Sequence, residues 1–180
     1  MAWCSLVIAA GCSASSGKPT GSQATSPLGA DATVLACQDR AGSAARDDPA
    51  NTVILDSVAL PVRDALQANR SGEQDSRMAL FAKSGLYLRV DRAFDVAVAD
   101  EWRGRVFIGW GSPAVRAGEV RVPGCSAGSP TERWLVYAGG YWLREPACIS
   151  LVVKAGHRQE TIRVGVGAAC PGQRPPLPGV

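Results

Sequence analysis

The chain has 180 residues, a formal net charge of +3 and 46% hydrophobic residues. This length suits one ordinary domain with a single core, and the apolar fraction excludes a chain that is disordered by composition. The basic residues are spread along the sequence, and no basic run is interleaved with aromatic residues. A nucleic-acid-binding role therefore has no support, and we expect no nucleic-acid partner.

The N-terminal segment resembles the lipobox signal of bacterial lipoproteins. Residues 2–10 are uncharged and mostly apolar. They are too few to span a bilayer as a helix, but enough for the apolar core of a secretory signal. Ala9, Ala10 and Gly11 stand directly before Cys12. We expect residues 1–11 to be a cleaved signal and Cys12 to carry a diacylglyceryl lipid, whose two chains anchor the protein to the membrane.

Two features of this segment depart from the lipobox pattern. Ala9 stands where leucine is usual, and no basic residue precedes the apolar run. The simplest explanation for the missing basic residues is a true start that lies upstream. A plain secretory signal, with release of the protein from the cell, and an N-terminus that is apolar by chance are the alternatives.

Composition divides the rest of the chain into three segments. Residues 12–33 are rich in Ser, Gly, Thr and Pro, which predicts a flexible linker. Residues 34–170 carry the apolar runs and are predicted to form one β domain. Residues 171–180 are rich in proline and are expected to be extended and mobile. This order is typical of a domain tethered through a stalk.

The cysteines predict a disulfide-bonded domain. Cys4 would leave with the signal and Cys12 would take the lipid. The four that remain are Cys37, Cys125, Cys148 and Cys170. An even set in an exported chain predicts two disulfides, in one of three pairings. We favour Cys125–Cys148, which would close a loop around residues 134–143, and Cys37–Cys170, which would join the two ends of the domain. The spacings do not suit a zinc site, so we expect no metal and no other cofactor.

Short apolar runs, most of them with a period of two, predict about eight β-strands. They lie at residues 53–60, 86–91, 94–99, 105–110, 120–122, 134–143, 149–154 and 162–166. Residues 61–69 are compatible with a short helix, Gly139 and Gly140 predict a bend, and residues 155–158 predict a hairpin turn. The predicted class is all-β, an antiparallel sandwich or barrel with at most one short helix.

Several segments taken together resemble uncharacterised exported proteins of actinobacteria. These are residues 83–86, 106–111, 137–142, 146–153 and 164–170, with Cys125 among them. The resemblance covers about residues 53–170. It implies a lipoprotein or secreted β domain of a high-GC Gram-positive bacterium. It brings no known activity, so no catalytic residues are carried over.

No catalytic arrangement is visible in the sequence. His157 is the sole histidine and falls in the predicted hairpin turn, far from any nucleophile motif, so we expect a solvated turn residue. The acidic pairs Asp47-Asp48 and Asp100-Glu101 precede turns or loops and are expected to be solvated. A hydrolase would need two carboxylates that face each other across a cleft, and the sequence does not identify such a pair.

The aromatic residues of the 134–143 segment are the most interesting cluster. Alternate residues of a strand face opposite ways, so some of these rings should be exposed and able to stack on a sugar ring or a partner surface. Core packing beside a disulfide is the alternative. The candidate ligand contacts are Trp134, Tyr137, Tyr141, Trp142, Lys83, Arg89 and Arg144.

The leading functional hypothesis is a non-catalytic lipoprotein whose β domain binds or scaffolds a protein, a glycan or a lipid at the cell envelope. One alternative is an envelope hydrolase that uses a carboxylate pair. Another is a carrier of a hydrophobic ligand, which would need a large apolar cavity between the sheets.

Overall fold

The computed structural model describes residue 1 and residues 31–176, so the predicted signal, Cys12 and most of the predicted linker lie outside the described residues. The described part is nearly all β. Its strands in chain order are β1 (Ala32–Val34), β2 (Gly42–Ala44), β3 (Thr52–Ile54), β4 (Val58–Leu60), β5 (Asn69–Arg70), β6 (Leu80–Lys83), β7 (Leu86–Arg89), β8 (Phe94–Val98), β9 (Val106–Trp110), β10 (Glu119–Val122), β11 (Trp134–Tyr137), β12 (Gly139–Leu143), β13 (Ala147–Ala155) and β14 (Arg158–Val166). Short 3-10 turns occur at Cys37–Asp39, Ser76–Met78 and Asp100–Trp102.

The strands form three sheets. The first has the order β1-β10-β8-β13-β14, the second β2-β11-β7-β4-β3 and the third β5-β6-β12-β9. Neighbouring strands are antiparallel except β1 and β10, which run parallel. None of the three sheets closes on itself within residues 31–176. The predicted all-β, antiparallel class is therefore confirmed, and the barrel alternative is wrong.

Alternate residues of the strands build the core. Inward-facing side chains include Phe94, Val96 and Val98 of β8 and Ile149, Leu151 and Val153 of β13, all of them buried. Each such side chain contributes about 1.5–3 kcal/mol when it leaves water. The period-two prediction is confirmed for these strands. The predicted hairpin is also confirmed, because β13 and β14 pair along their whole length around a turn at Gly156 and His157.

The short helix with which residues 61–69 were compatible does not form, in keeping with the prediction of at most one short helix. This segment is extended and makes isolated bridges, Asp64 with Arg174 and Leu66 with Val166. The backbone N–H of Leu66 donates to the carbonyl oxygen of Gly165 at 2.8 Å. Contacts between distant parts of the chain thus satisfy the backbone groups that a helix would have satisfied locally.

The run at residues 53–60 forms two strands rather than one. Leu55 and Asp56 adopt left-handed backbone conformations, with φ of 50° and 54°. They turn the chain so that β3 pairs with β4 in an antiparallel hairpin. The prediction of a single strand missed this turn because neither residue is a glycine, which is the usual signal for a positive φ.

Residues 134–143 also form two strands, and these belong to different sheets. β11 lies in the second sheet and β12 in the third. Two glycines open β12 where an added Cβ atom would meet the backbone of the neighbouring strands. A Cβ atom at Gly139 would lie 2.1 Å from the carbonyl oxygen of Gly109, and one at Gly140 would lie 2.0 Å from that of Ala82. The predicted bend is therefore a change of sheet that only glycine permits.

The disulfides are Cys37–Cys125 and Cys148–Cys170, so both pairings that the sequence analysis favoured are wrong. The parallel pairing of β1 with β10 explains the first bond. Val34 lies opposite Arg121, and both chains then continue in the same direction to Cys37 and Cys125. The second bond forms because the chain turns back after β14 at Gly167, which bridges to Ala147 beside Cys148.

Contacts of the domain extend past both predicted boundaries. β1 begins at Ala32, two residues before the predicted start at residue 34. After Cys170, the side chain of Gln173 donates to the carbonyl oxygen of Val62 at 2.8 Å, and Arg174 pairs with Asp64 at 2.5 Å.

The two disulfides indicate an oxidising, extracytoplasmic environment. Among the described residues there is no helix that is long and apolar enough to cross a bilayer.

Candidate functional site

Two of the predicted contact residues, Tyr137 and Tyr141, are fully buried. The Tyr137 hydroxyl donates to the carbonyl oxygen of Cys37 at 2.9 Å, beside the Cys37–Cys125 disulfide. The Tyr141 hydroxyl is near Ser84 but makes no hydrogen bond of normal geometry to a described residue. Burial raises the pKa of both hydroxyls. Both rings thus pack the core, which is the alternative that the sequence analysis kept open.

This difference predicts that the same substitution destabilises the protein at Tyr137 but not at Tyr141. Tyr137→Phe should lower the free energy of unfolding by about 1 kcal/mol, because a buried hydrogen bond is lost and the carbonyl oxygen of Cys37 loses a partner. Tyr141→Phe should leave it unchanged or raise it by up to about 1 kcal/mol, because a poorly satisfied hydroxyl leaves the core. Urea unfolding of the two variants measures both. A larger loss for Tyr141→Phe would contradict the assignment.

The other predicted contacts do not lie together. Trp134 is buried, with the Arg89 guanidinium 5.8 Å from its ring centroid. Arg89 is itself ion-paired with Asp56 at 2.6 Å. Lys83 is exposed at the end of β6, opposite Gly140 in the register of the third sheet. These residues do not form one site with Arg144.

Three aromatic side chains form a row across the outer face of the third sheet. Trp142 of β12 lies opposite Phe81 of β6 and Phe107 of β9 in the sheet register. The ring centroids of Phe81 and Trp142 are 4.6 Å apart. Arginines cover the row, since the guanidinium of Arg116 lies 5.7 Å from the Trp142 ring and that of Arg77 lies 5.3 Å from the Phe107 ring. Of the four predicted aromatics, Trp142 alone belongs to this face.

A cleft of about 270 Å³, here called the arginine cleft, opens at one end of this row. Val106 and Leu143, whose side chains are buried in the core, border it where β9 begins and β12 ends. The 3-10 turns at Ser76–Met78 and Asp100–Trp102 contribute side chains to its walls. The polar and aromatic lining consists of Arg77, Trp102, Arg105, Arg144 and Glu145.

The arginines of the cleft differ in their hydrogen-bond partners. Arg77 donates to Asp75 through both Nε and Nη2, and this hydrogen bonding lowers the pKa of the Asp75 carboxyl. Arg105 lies over the Trp102 ring, 4.6 Å from its centroid, and donates to the carbonyl oxygen of Glu101. Within the described part of the chain, the Arg144 guanidinium makes no hydrogen bond or ion pair. The cleft therefore presents positive charge beside a flat apolar ring.

A second cleft of about 280 Å³ contains two carboxylates, Asp31 and Glu119. Glu119 is ion-paired with Arg121 at 3.7 Å, and Arg121 also bonds to Asp95 at 3.1 Å. The Glu119 carboxylate of this cleft is therefore paired with an arginine rather than free. The acidic pairs noted in the sequence lie elsewhere, Asp47-Asp48 in a loop and Asp100-Glu101 in a 3-10 turn. His157 is exposed in the hairpin turn, as predicted.

A carrier of a hydrophobic ligand would need a large apolar cavity between the sheets. Large side chains fill the space where the sheets meet, among them Leu135, Tyr137, Tyr141 and Leu143. The two clefts described above lie at the surface.

Within residues 31–176, no group of three or more His, Cys, Asp or Glu side chains comes together that could hold a metal ion.

The sequence analysis identified only part of the arginine cleft. Arg144 was among the predicted contacts, whereas Arg77, Trp102, Arg105 and Glu145 were missed. The segment at residues 102–105 has two arginines within three residues of a tryptophan, and that density is the signal that could have found two of them. The sequence around Arg77 does not indicate a site, because the place of Arg77 in the cleft depends on how the third sheet packs.

No family model, curated protein or solved structure matches this chain.

Proposed function

We propose that the protein is a non-catalytic binding domain, held at the outer face of a bacterial membrane by a lipid on Cys12. The two disulfides are the observation that carries this proposal, since such bonds persist in oxidising compartments outside the cytoplasm. Ala9, Ala10 and Gly11 before Cys12 supply the small residues that a lipoprotein signal requires. The resemblance to exported actinobacterial proteins is consistent with the same location.

Binding rather than catalysis is supported by the chemistry of the described surface. The arginine cleft combines arginines with a tryptophan and a single carboxylate, Glu145. Those groups can hold a ligand by charge, hydrogen bonds and ring contact. A glycoside hydrolase, in contrast, uses two carboxylates on opposite sides of the scissile bond.

Substitution of Cys12 tests the anchor. The gene, with its upstream sequence, is expressed in an actinobacterial host, and cell membranes are separated from the medium. We expect wild type in the membrane fraction and Cys12→Ala in the medium, because the lipid is the only attachment proposed.

Cys4→Ala is the matched control, because Cys4 lies in the segment expected to be removed with the signal. It should fractionate like wild type. Release of wild type into the medium would refute the anchor, as would Cys12→Ala remaining in the membrane to the same extent as wild type.

A further inference from the structure

We infer that the arginine cleft binds an acidic sugar unit, that is, a monosaccharide bearing a carboxylate or a phosphate, either free or at the end of a glycan. This inference rests on the proposed binding function and names the class of its ligand. It follows from the charge, the shape and the unsatisfied groups of the cleft.

The charge of the cleft favours an anion. Three arginines line it against one glutamate. Asp75 holds Arg77, whereas Arg105 has a backbone carbonyl as its hydrogen-bond partner and Arg144 has no partner among the described residues. Guanidinium groups present paired N–H donors that match the oxygens of carboxylate and phosphate. Arg105 and Arg144 are thus available to an anionic group.

The shape of the cleft favours a ring of monosaccharide size. Its volume of about 270 Å³ lies just below the range typical of small-molecule sites, about 300–1,000 Å³. Trp102 provides a flat aromatic wall, one face of which Arg105 covers. The C–H face of a sugar ring can lie against such a surface.

Glu145 distinguishes a sugar from a simple anion. It is exposed at the cleft and makes no hydrogen bond or ion pair with a described residue. A carboxylate accepts hydrogen bonds from hydroxyl groups but repels phosphate oxygens. A ligand that satisfies both Glu145 and the arginines must carry hydrogen-bond donors as well as negative charge, and the hydroxyl groups of a sugar supply such donors.

Binding is tested on the full chain with Cys12→Ala, so that the result does not depend on the anchor. Glucuronate and glucose 6-phosphate are the probes, and glucose and inorganic phosphate are the controls. Shifts of backbone amide signals are followed by NMR. Both probes should shift the signals of residues 102–106 and 143–145 and bind more tightly than either control.

Variants assign the contacts. Arg144→Gln should weaken binding of both probes about tenfold, because a charged hydrogen bond is lost. Arg163→Gln removes the same charge from an exposed position on β14, outside the cleft, and should change affinity less than about twofold. Glu145→Ala should lower the preference for glucose 6-phosphate over inorganic phosphate, because the acceptor for the sugar hydroxyl groups is lost. Unchanged thermal unfolding of each variant shows that its fold is intact.

Several results would overturn the inference. They are a lack of probe binding, equal binding of inorganic phosphate and glucose 6-phosphate, or no effect of Arg144→Gln. Binding to phosphatidylglycerol vesicles without binding of either sugar would assign the cleft to a lipid headgroup instead. None of these results bears on the anchor, which fractionation of the Cys12 variant tests separately.

Discussion

Replacing Cys37 and Cys125 together by alanine is expected to lower the free energy of unfolding by about 4.5 kcal/mol. The bond joins residues 88 apart, so its loss frees a long loop in the unfolded chain. It also releases the turn at Cys37–Asp39, to which the Tyr137 hydroxyl donates. A loss of this size is a large part of the stability of an ordinary domain.

The second disulfide provides the matched control. Cys148 and Cys170 are 22 residues apart, and their joint replacement should cost about 3.5 kcal/mol. Urea unfolding of both double variants, in the Cys12→Ala background, gives the two losses. A larger loss for the Cys148/Cys170 variant would contradict the expected order. Peptide mapping without reductant that found Cys125 joined to Cys148 would contradict the pairing itself.

Gly140→Ala is expected to lower the free energy of unfolding by about 3 kcal/mol or more. The added Cβ would lie 2.0 Å from the carbonyl oxygen of Ala82, a backbone atom of the paired strand β6 that cannot rotate away. β12 must then move from β6, which disturbs the aromatic row two residues further on at Trp142. Urea unfolding measures the loss, and NMR reports whether the Trp142 indole signal moves.

Gly42→Ala is the control for this substitution. Gly42 also lies in a strand, β2, but a Cβ atom there would meet nothing within 4 Å. This variant should unfold within about 0.5 kcal/mol of wild type. If Gly140→Ala were as stable as Gly42→Ala, the close approach of β12 to β6 would be wrong.

Local patterns were enough to predict the strands whose two faces differ. In β8 the side chains alternate between the core at Phe94, Val96 and Val98 and the partly exposed Asp95 and Ala97. The hairpin around His157 was predictable because two apolar runs flank a turn that contains glycine. The alternation in β8 and the hairpin turn depend on residues that are close together in the sequence, so the sequence alone is enough to predict them.

Features set by distant contacts were not predictable in this way. The parallel pairing of β1 with β10 joins residues 87 apart, as in Ala32 opposite Glu119 (119 − 32), and it determines which cysteines meet. The change of sheet between β11 and β12 looks in the sequence like a bend in one strand. The extended course of residues 61–69 depends on bridges to Val166 and Arg174. Short segments of this kind follow tertiary pairing rather than local propensity.

The candidate site was likewise predictable only where it depends on local sequence. Arg144 was predicted from its place beside an aromatic segment, whereas two of those aromatics, Tyr137 and Tyr141, proved to be core residues. The arginine cleft assembles side chains from two 3-10 turns and the ends of two strands. No single stretch of sequence contains that combination.

The intact mass of the protein from an actinobacterial host tests the central claim most directly. Wild type and Cys12→Ala are purified from an actinobacterial host and measured with and without reduction and alkylation. The account predicts that mature wild type begins at Cys12 and carries a diacylglyceryl group, that Cys12→Ala lacks this mass, and that four cysteines become alkylated only after reduction. A wild-type mass without lipid, or four cysteines that react without reduction, would contradict the claim of a lipid-anchored extracytoplasmic domain.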